Sequence, residues 1–392
     1  MFTERIKALT AEVLPDLIAA RRHLHQHPEL GYQEVETAKY LAQYLQKIGC
    51  QVQTEVAQTG VVGLIEGKED GKVVALRSDM DALPVVETTG LDFASVNDGV
   101  MHACGHDTHM AIILGAATVL SKLKDDFSGS VKFIFQPAEE GPGGAEPMIE
   151  QGVLQNPQVD YILGGHVWPT LPVGKVGIKA GPAMSAVNSW QLTLNGKSGH
   201  GAEPHTGTDC IALAAQIINA MQQIVSRTNN PQDPMVLGVG TIHGGTRDNI
   251  IANHVVMSGT MRTFSVKNRQ RVMELFPKLI AGICEPYGVS FDLAFKTGYE
   301  ATINDAKLTK AVYASAEKIL GAEAIEDDFP PAMVSEDFSF FAMEVSGVFL
   351  RYGSAGDEST SYALHHSSFN IDERVIAISI MALVQASLDL LA

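Results

Sequence analysis

Ser130-Val131-Lys132-Phe133-Ile134-Phe135-Gln136-Pro137-Ala138-Glu139-Glu140-Gly141 is the stretch that decides how the chain folds. Val131–Phe135 reads as an apolar strand of the kind buried on both faces of a sheet, and two adjacent carboxylates follow directly behind it. In open parallel sheets, sites gather outside the carboxyl ends of the strands. Two carboxylates in such a place are costly to desolvate unless something positive compensates. Similar units lie on either side. Val73–Arg77 reads as a strand that leads into Asp79 and Asp81, and Tyr161–Leu163 as one that ends before Gly164-Gly165-His166. Between them Met110, Ile113, Leu114, Ala117 and Leu120 follow helical spacing, with Asp107 or Thr108 as the cap. Strands that alternate with helices predict an α/β domain with a largely parallel sheet.

Outward from this centre, residues 8–26 and Glu34–Ile48 read as helices, and Gln51–Val56 and Val61–Glu66 as short strands. The middle of the chain has a different rhythm. Strand Ser189–Leu194, helix Cys210–Val225, strands Met235–Ile242 and His254–Thr263, helix Asn268–Tyr287 and strand Val289–Phe295 follow one another. The order β-α-β-β-α-β is that of the ferredoxin-like split unit. It predicts a small α+β domain over residues 183–297, inserted into a mostly parallel-sheet catalytic domain made of residues 1–182 and 298–392. Leu308–Leu320, Val348–Tyr352 and Asp372–Leu391 complete the latter as helix, strand and helix.

Composition narrows the partners. The 392 residues carry a net charge of −17, and the longest Lys/Arg cluster is Arg21-Arg22. Nucleic acid and anionic membranes are therefore not expected partners. No segment reaches the roughly 18 apolar residues of a membrane span. Met1-Phe2-Thr3-Glu4-Arg5 lacks the apolar stretch of a secretory signal, so the expected location is the cytoplasm. The four cysteines form no Cys-x-x-Cys pair, and a reducing compartment makes disulfides unexpected. Cys50, Cys210 and Cys284 lie among apolar residues and read as core, whereas Cys104 stands among histidines.

Cys104 and His106 are two residues apart, so in an extended segment they point to one side and could grip one metal ion or two adjacent ones. Of Glu139 and Glu140, one could ligate a metal while the other serves as general base toward a water. His166 and the pair His365-His366 add imidazoles from other loops. This set of N, O and S donors suits zinc, manganese, cobalt or nickel. Asp79 and Asp81 could bind metal or orient a ligand histidine from behind. A Cys104 nucleophile with a histidine base is conceivable but leaves the Glu139-Glu140 pair idle. There is no Gly-x-Ser-x-Gly elbow and no phosphate-binding Gly-x-x-x-x-Gly-Lys loop.

Together the motifs resemble the aminoacylase, hippurate hydrolase and indole-acetyl-amino-acid hydrolase family of two-metal amidohydrolases. The carriers are Arg22 to Glu29, Asp79 to Pro84, His102 to His109, Gln136 to Gly141, Gly196 to His205 and Leu364 to Phe369. The resemblance implies that Cys104, His106, Glu140, His166 and His365 are ligands of two divalent metal ions and that Glu139 is the general base. It places Asp81 near the metals among the catalytic residues. It implies that His200 reaches the substrate, often from the partner subunit, and that Asn249 and Arg262 hold the substrate's α-carboxylate. The small domain becomes a lid and dimerisation domain, with a hinge near residues 180–188 and 295–300, in a homodimer or larger homo-oligomer. The implied reaction is hydrolysis of small N-acyl-L-amino acids to a carboxylic acid and a free amino acid. A carboxypeptidase or dipeptidase, or an N-acetyl-diaminopimelate deacetylase, is the alternative of the same fold. A non-catalytic zinc-binding protein is the alternative of another class. Two departures stand out. Ser367 and Ser368 follow the last histidines where the family often has a proline, which leaves His366 as a rival to His365. Val334 precedes Ser335-Glu336-Asp337-Phe338 where a glycine is common.

Overall fold

In a computed structural model that describes residues 2–392, the chain forms two compact units. The first comprises the chain through Ala183 together with Ile303–Pro330 and Asp337–Ala392, and the second Met184–Thr302 with Pro331–Glu336.

The first unit is built on an eight-stranded sheet. Its order is Gln51–Val56, Gly60–Glu66, Ser130–Gln136, Val73–Asp79, Tyr161–Pro172, Ser346–Ala355, Val176–Gly177 and Ile325–Glu326. The four central strands run parallel, and antiparallel pairs flank them. Strand Ser130–Gln136 is buried nearly throughout, as its apolar run predicts. It nevertheless carries Lys132, whose ammonium donates to the carbonyls of Val153, Gln155 and Pro157 at 2.8, 2.8 and 3.1 Å. Three carbonyl dipoles offset the loss of water, and burial still lowers the lysine to about 8.

Helices Phe2–Gln26, His106–Ser121 and Arg374–Leu391 pack on one another and form the core with the sheet. Every residue from His106 to Leu120 is buried. The helical spacing is therefore real, but the helix is covered all round and has no wet face. Helix Arg374–Leu391 is 18 residues long and apolar enough to cross a membrane, contrary to the expectation that no segment would be. Its window is 72% buried in the core, which accounts for its composition.

Two local expectations change. Tyr161–Leu163 does not end before the glycines, because the strand continues to Pro172 and carries His166 within it. Gly164 and Gly165 mark close approach and not a turn. A Cβ on Gly164 would stand 2.8 Å from the Phe338 ring, and one on Gly165 would stand 2.4 Å from the Tyr352 ring. Neither Asp107 nor Thr108 caps helix His106–Ser121, since the cap position is Gly105, with φ 87°. A Cβ there would meet Val167 Cγ2 at 2.4 Å, so both the backbone angle and the space require glycine.

The second unit contains a four-stranded antiparallel sheet in the order Ser290–Thr297, Ala186–Asn195, His254–Thr263 and Met235–Gly244. Helices Cys210–Thr228 and Val266–Cys284 close its own core, where Trp190 meets Phe276 edge-on at 5.3 Å. Element order and strand order are those of the ferredoxin-like unit. Asp209 and Ser265 cap the two helices through their side chains.

Candidate metal centre

The chemistry-bearing residues of the first unit collect at the carboxyl ends of its parallel strands. Val73–Asp79 delivers Asp79 and, just beyond it, Asp81; Ser130–Gln136 delivers Glu139 and Glu140; Tyr161–Pro172 holds His166. Gly105 turns the chain so that Cys104 stands before the helix and His106 opens it. Candidate donor atoms of Cys104, His106 and His166 lie within 4.8 Å of one another, as do those of Cys104, Glu140 and His365 and those of His106, Glu139 and Glu140. The three groups overlap, so they make one cluster.

His365 joins that cluster and His366 does not. His365 adopts a left-handed backbone, φ 67°, and donates its N–H to the Ala103 carbonyl at 2.8 Å. Its Nε2 reaches 3.1 Å from Glu140 Oε1. His366 instead stacks on Tyr362 and accepts the Ser368 N–H.

The two buried imidazoles are oriented from behind. His106 Nδ1–H donates to Asp81 Oδ1 at 3.2 Å, and the other Asp81 oxygen accepts the Glu140 N–H at 3.0 Å. Each Asp81 oxygen thereby takes one hydrogen bond beside the cluster. His166 Nδ1–H donates to the Val167 carbonyl at 2.7 Å, which leaves Nε2 as the lone-pair nitrogen, 3.3 Å from Cys104 Sγ. Burial lowers His166 to about 3, so it is a neutral imidazole. Burial alone would also lower His106, but Asp79, Asp81 and Glu140 outweigh it and raise it to about 10. Burial and the Glu140 and Glu139 carboxylates push the Cys104 thiol far above its ordinary range. Burial works against the Glu140 carboxylate, yet His365 and His106 hold it at about 2.

His106 Nε2 is buried without a hydrogen-bond partner, with Asp79 Oδ2 and Glu140 Oε1 3.7 and 4.0 Å away. A divalent cation satisfies such a set of imidazole, thiolate and carboxylate donors, and it reverses the balance that keeps the thiol protonated. The residues present therefore fit a metal centre.

The turn that carries Glu139 is held at both ends. Glu34, beneath it, accepts the Ala138 N–H at 2.9 Å and the Thr59 hydroxyl at 2.7 Å. Asp337 accepts from Gln136 Nε2 and from the Gly144 and Ala145 N–H groups. Arg77 bridges Asp79 and Asp337 at 3.0 and 2.9 Å. On the far side of Cys104-Gly105-His106, Asp107 Oδ2 accepts from His25 Nδ1 and forms an ion pair with Arg21 Nε, both at 2.8 Å. Burial would raise the Asp107 carboxyl, but Arg21 and His25 hold it far below its usual range. Sequence reasoning missed Arg21, His25, Glu34, Arg77, His109 and Asp337. For His109 a signal existed, namely its place three residues after His106 on the same helix.

In the second unit, His200 and Asn249 come together. His200 bridges to Ile250, and the Gly201 N–H donates to the Asn249 carbonyl at 2.9 Å. Both side chains are exposed. Arg262 is half-buried and donates from Nη1 to the Met333 carbonyl at 2.9 Å.

A model of peptidase family M20/M25/M40 matches residues 75–386. An N-acyl-L-amino acid amidohydrolase of Geobacillus stearothermophilus is 45% identical over 305 residues, which cover 78% of this chain and 82% of that one. A thermostable carboxypeptidase of Saccharolobus solfataricus is 40% identical, covering 97% of this chain and 96% of that one. The crystal structure of a dinuclear metal-binding M20 peptidase from Bacillus subtilis superposes with a TM-score of 0.86 at 35% identity, covering 97% and 99% of the two chains.

Proposed function

This chain belongs to peptidase family M20/M25/M40 and is a metal-dependent hydrolase of amide bonds; on that premise we propose that it cleaves N-acyl-L-amino acids to a carboxylic acid and a free amino acid. The observation that carries the reading is Glu139, buried at 6% exposure beside His106 and Glu140. Cys104, His106, Glu140, His166 and His365 would hold two divalent ions such as zinc, manganese, cobalt or nickel, and Glu139 beside them would serve for proton transfer.

When bound, the ions supply Lewis acidity and bring a water's pKa toward neutrality. Glu139 takes the proton from the attacking water and returns it to the leaving amine nitrogen. Asp81 keeps His106 in one tautomer and the Glu140 backbone in place. His200 donates a hydrogen bond to the developing oxyanion, and Arg262 with Asn249 receives the α-carboxylate, for which a planar guanidinium is suited. The inserted unit also forms a homodimer in this reading. Its edge strand Met235–Gly244, with Val236 and Ile242 exposed, supports this. His200 acts across that dimer, and a fully active monomer would remove this part. Four buried, unpaired cysteines are compatible with a cytoplasmic location.

The second reading, a carboxypeptidase or dipeptidase, is favoured by the Saccharolobus relative and differs only in an aminoacyl group on the cleaved bond. One experiment separates them. The protein is stripped of metal and reloaded with each ion singly. It is then assayed on N-acetyl and N-benzoyl amino acids, N-acetyl-diaminopimelate and dipeptides. The highest kcat/KM on a simple N-acyl amino acid is expected; a preference for dipeptides overturns the acylase assignment.

A further inference from the structure

Asp79, His106 and His109 have the arrangement of a further ligand triad. His109, however, has no nitrogen left for an ion. Its Nδ1–H donates to Asp79 Oδ1 at 2.7 Å, and its Nε2 accepts the Val167 N–H at 2.9 Å. The other Asp79 oxygen is held by Arg77 Nη1 at 3.0 Å. All three side chains are buried.

The partner of His109 Nε2 is a backbone group in the middle of a strand. Strand Tyr161–Pro172 pairs along its length with Ser346–Ala355. On its other side, Val73–Asp79 pairs with it only as far as Leu163. Beyond Leu163 that edge has no strand, and a buried N–H without an acceptor is costly. His109 supplies the acceptor the sheet lacks. The same residue is where His166 is fixed, since the Val167 carbonyl accepts His166 Nδ1–H at 2.7 Å. His166 Nε2 then faces Cys104 Sγ at 3.3 Å.

We propose that His109, braced by Asp79 and Arg77, is a positioning residue. It takes the place of the absent neighbouring strand at Val167 and so sets the tautomer and direction of His166 Nε2. The proposal rests on the metallohydrolase reading, in which His166 Nε2 is a ligand atom.

The test uses three substitutions in the full chain. His109→Gln keeps an acceptor where Nε2 stands. His109→Asn keeps only a donor toward Asp79. His109→Leu keeps neither. Calorimetric titration of the metal-free proteins with Zn2+ and Mn2+, with His166→Ala marking the His166-dependent step, reads the effect on ion binding. His109→Leu and His109→Asn should weaken that step about 10- to 100-fold, the usual cost of removing a partner behind a ligand, while His109→Gln stays close to the parent protein. Unchanged affinity in a folded His109→Leu protein overturns the proposal. Loss of a whole additional equivalent of ion also overturns it, by making His109 itself a ligand.

A second readout needs no metal. Nitrogen-15 spectra of histidine in the metal-free chain should show His166 as a single Nδ1–H tautomer in the parent and in His109→Gln, and as a tautomer mixture in His109→Leu. A parent protein that takes up no ion defeats the hydrolase reading. The tautomer comparison then still decides the brace, and an unchanged His166 signal in His109→Leu defeats it.

Discussion

Cys104, His106 and His166 in the sheet unit are 7%, 0% and 5% exposed, whereas His200 and Asn249 in the inserted unit are exposed and Arg262 is half-buried. The two sets differ in what surrounds them. Around the first, Asp81, Asp107, Arg21, His25 and the Val167 carbonyl hold side chains or turn the backbone, at distances of 2.7 to 3.2 Å. Around the second, His200 and Asn249 lie in loops with a few hydrogen bonds, and Arg262, in strand His254–Thr263, has a side-chain bond to the Met333 carbonyl. A buried charge without a partner is expensive, so a ligand cluster inside the fold needs a second layer to exist at all. An exposed residue already has water as its partner. The comparison teaches that stability and activity should be coupled in the sheet unit and separable in the inserted one.

The largest expected effect is that of metal removal. Chelation should abolish hydrolysis and also lower Tm, because ions that bind only the folded state stabilise it. A chelated protein with undiminished activity would break the contrast at its root. Next is Glu139→Gln. It should reduce kcat by roughly 10²- to 10⁴-fold with metal content unchanged, as measured by steady-state assay and metal analysis. His200→Ala should cost roughly 10²- to 10³-fold in kcat, the usual worth of an oxyanion donor, with no change in Tm or metal content. A fall in Tm would show that His200 is tied into its unit more firmly than its exposure implies.

Stability measurements sharpen the same contrast. Asp107→Asn removes one charge of a fully buried pair and should cost about 3–5 kcal/mol in denaturant unfolding. The exposed Asp248→Asn should stay within about 0.5 kcal/mol. A further effect concerns pH. Burial raises Glu34 from 4.5 to about 7, against the downward pull of its bonds to Thr59 and Ala138. Folding therefore takes up a proton between those pH values, and stability falls as pH rises through them. Over the window the loss is on the order of 3 kcal/mol. Glu34→Gln should remove that slope, so Tm curves of the two proteins between about pH 5 and about pH 8 should diverge.

Much of this architecture is legible in residue order. The apolar run Val131–Phe135, the helical spacing from Met110 to Leu120 and the β-α-β-β-α-β rhythm of the middle section each determine a local element. Their alternation determines the class of fold. The donor types at Cys104, His106, Glu139-Glu140, His166 and His365-His366 likewise point to a metal as the matching chemistry. Other features depend on atoms distant in sequence. Gly164-Gly165 carries a breaker's signature, and only the Phe338 and Tyr352 rings pressed against it explain why the strand runs on. Asp107 has the signature of a cap, and only the arrival of Arg21 and His25 from another helix makes it a buried anchor. Nothing local distinguishes His365 from His366; the left-handed backbone that turns the former toward Glu140 does. Periodicity and residue type are local quantities, so the sequence by itself determined the elements and the kind of chemistry. Desolvation is a property of the packed whole, so only the tertiary structure decided which donors are buried together and which side chains hold them there.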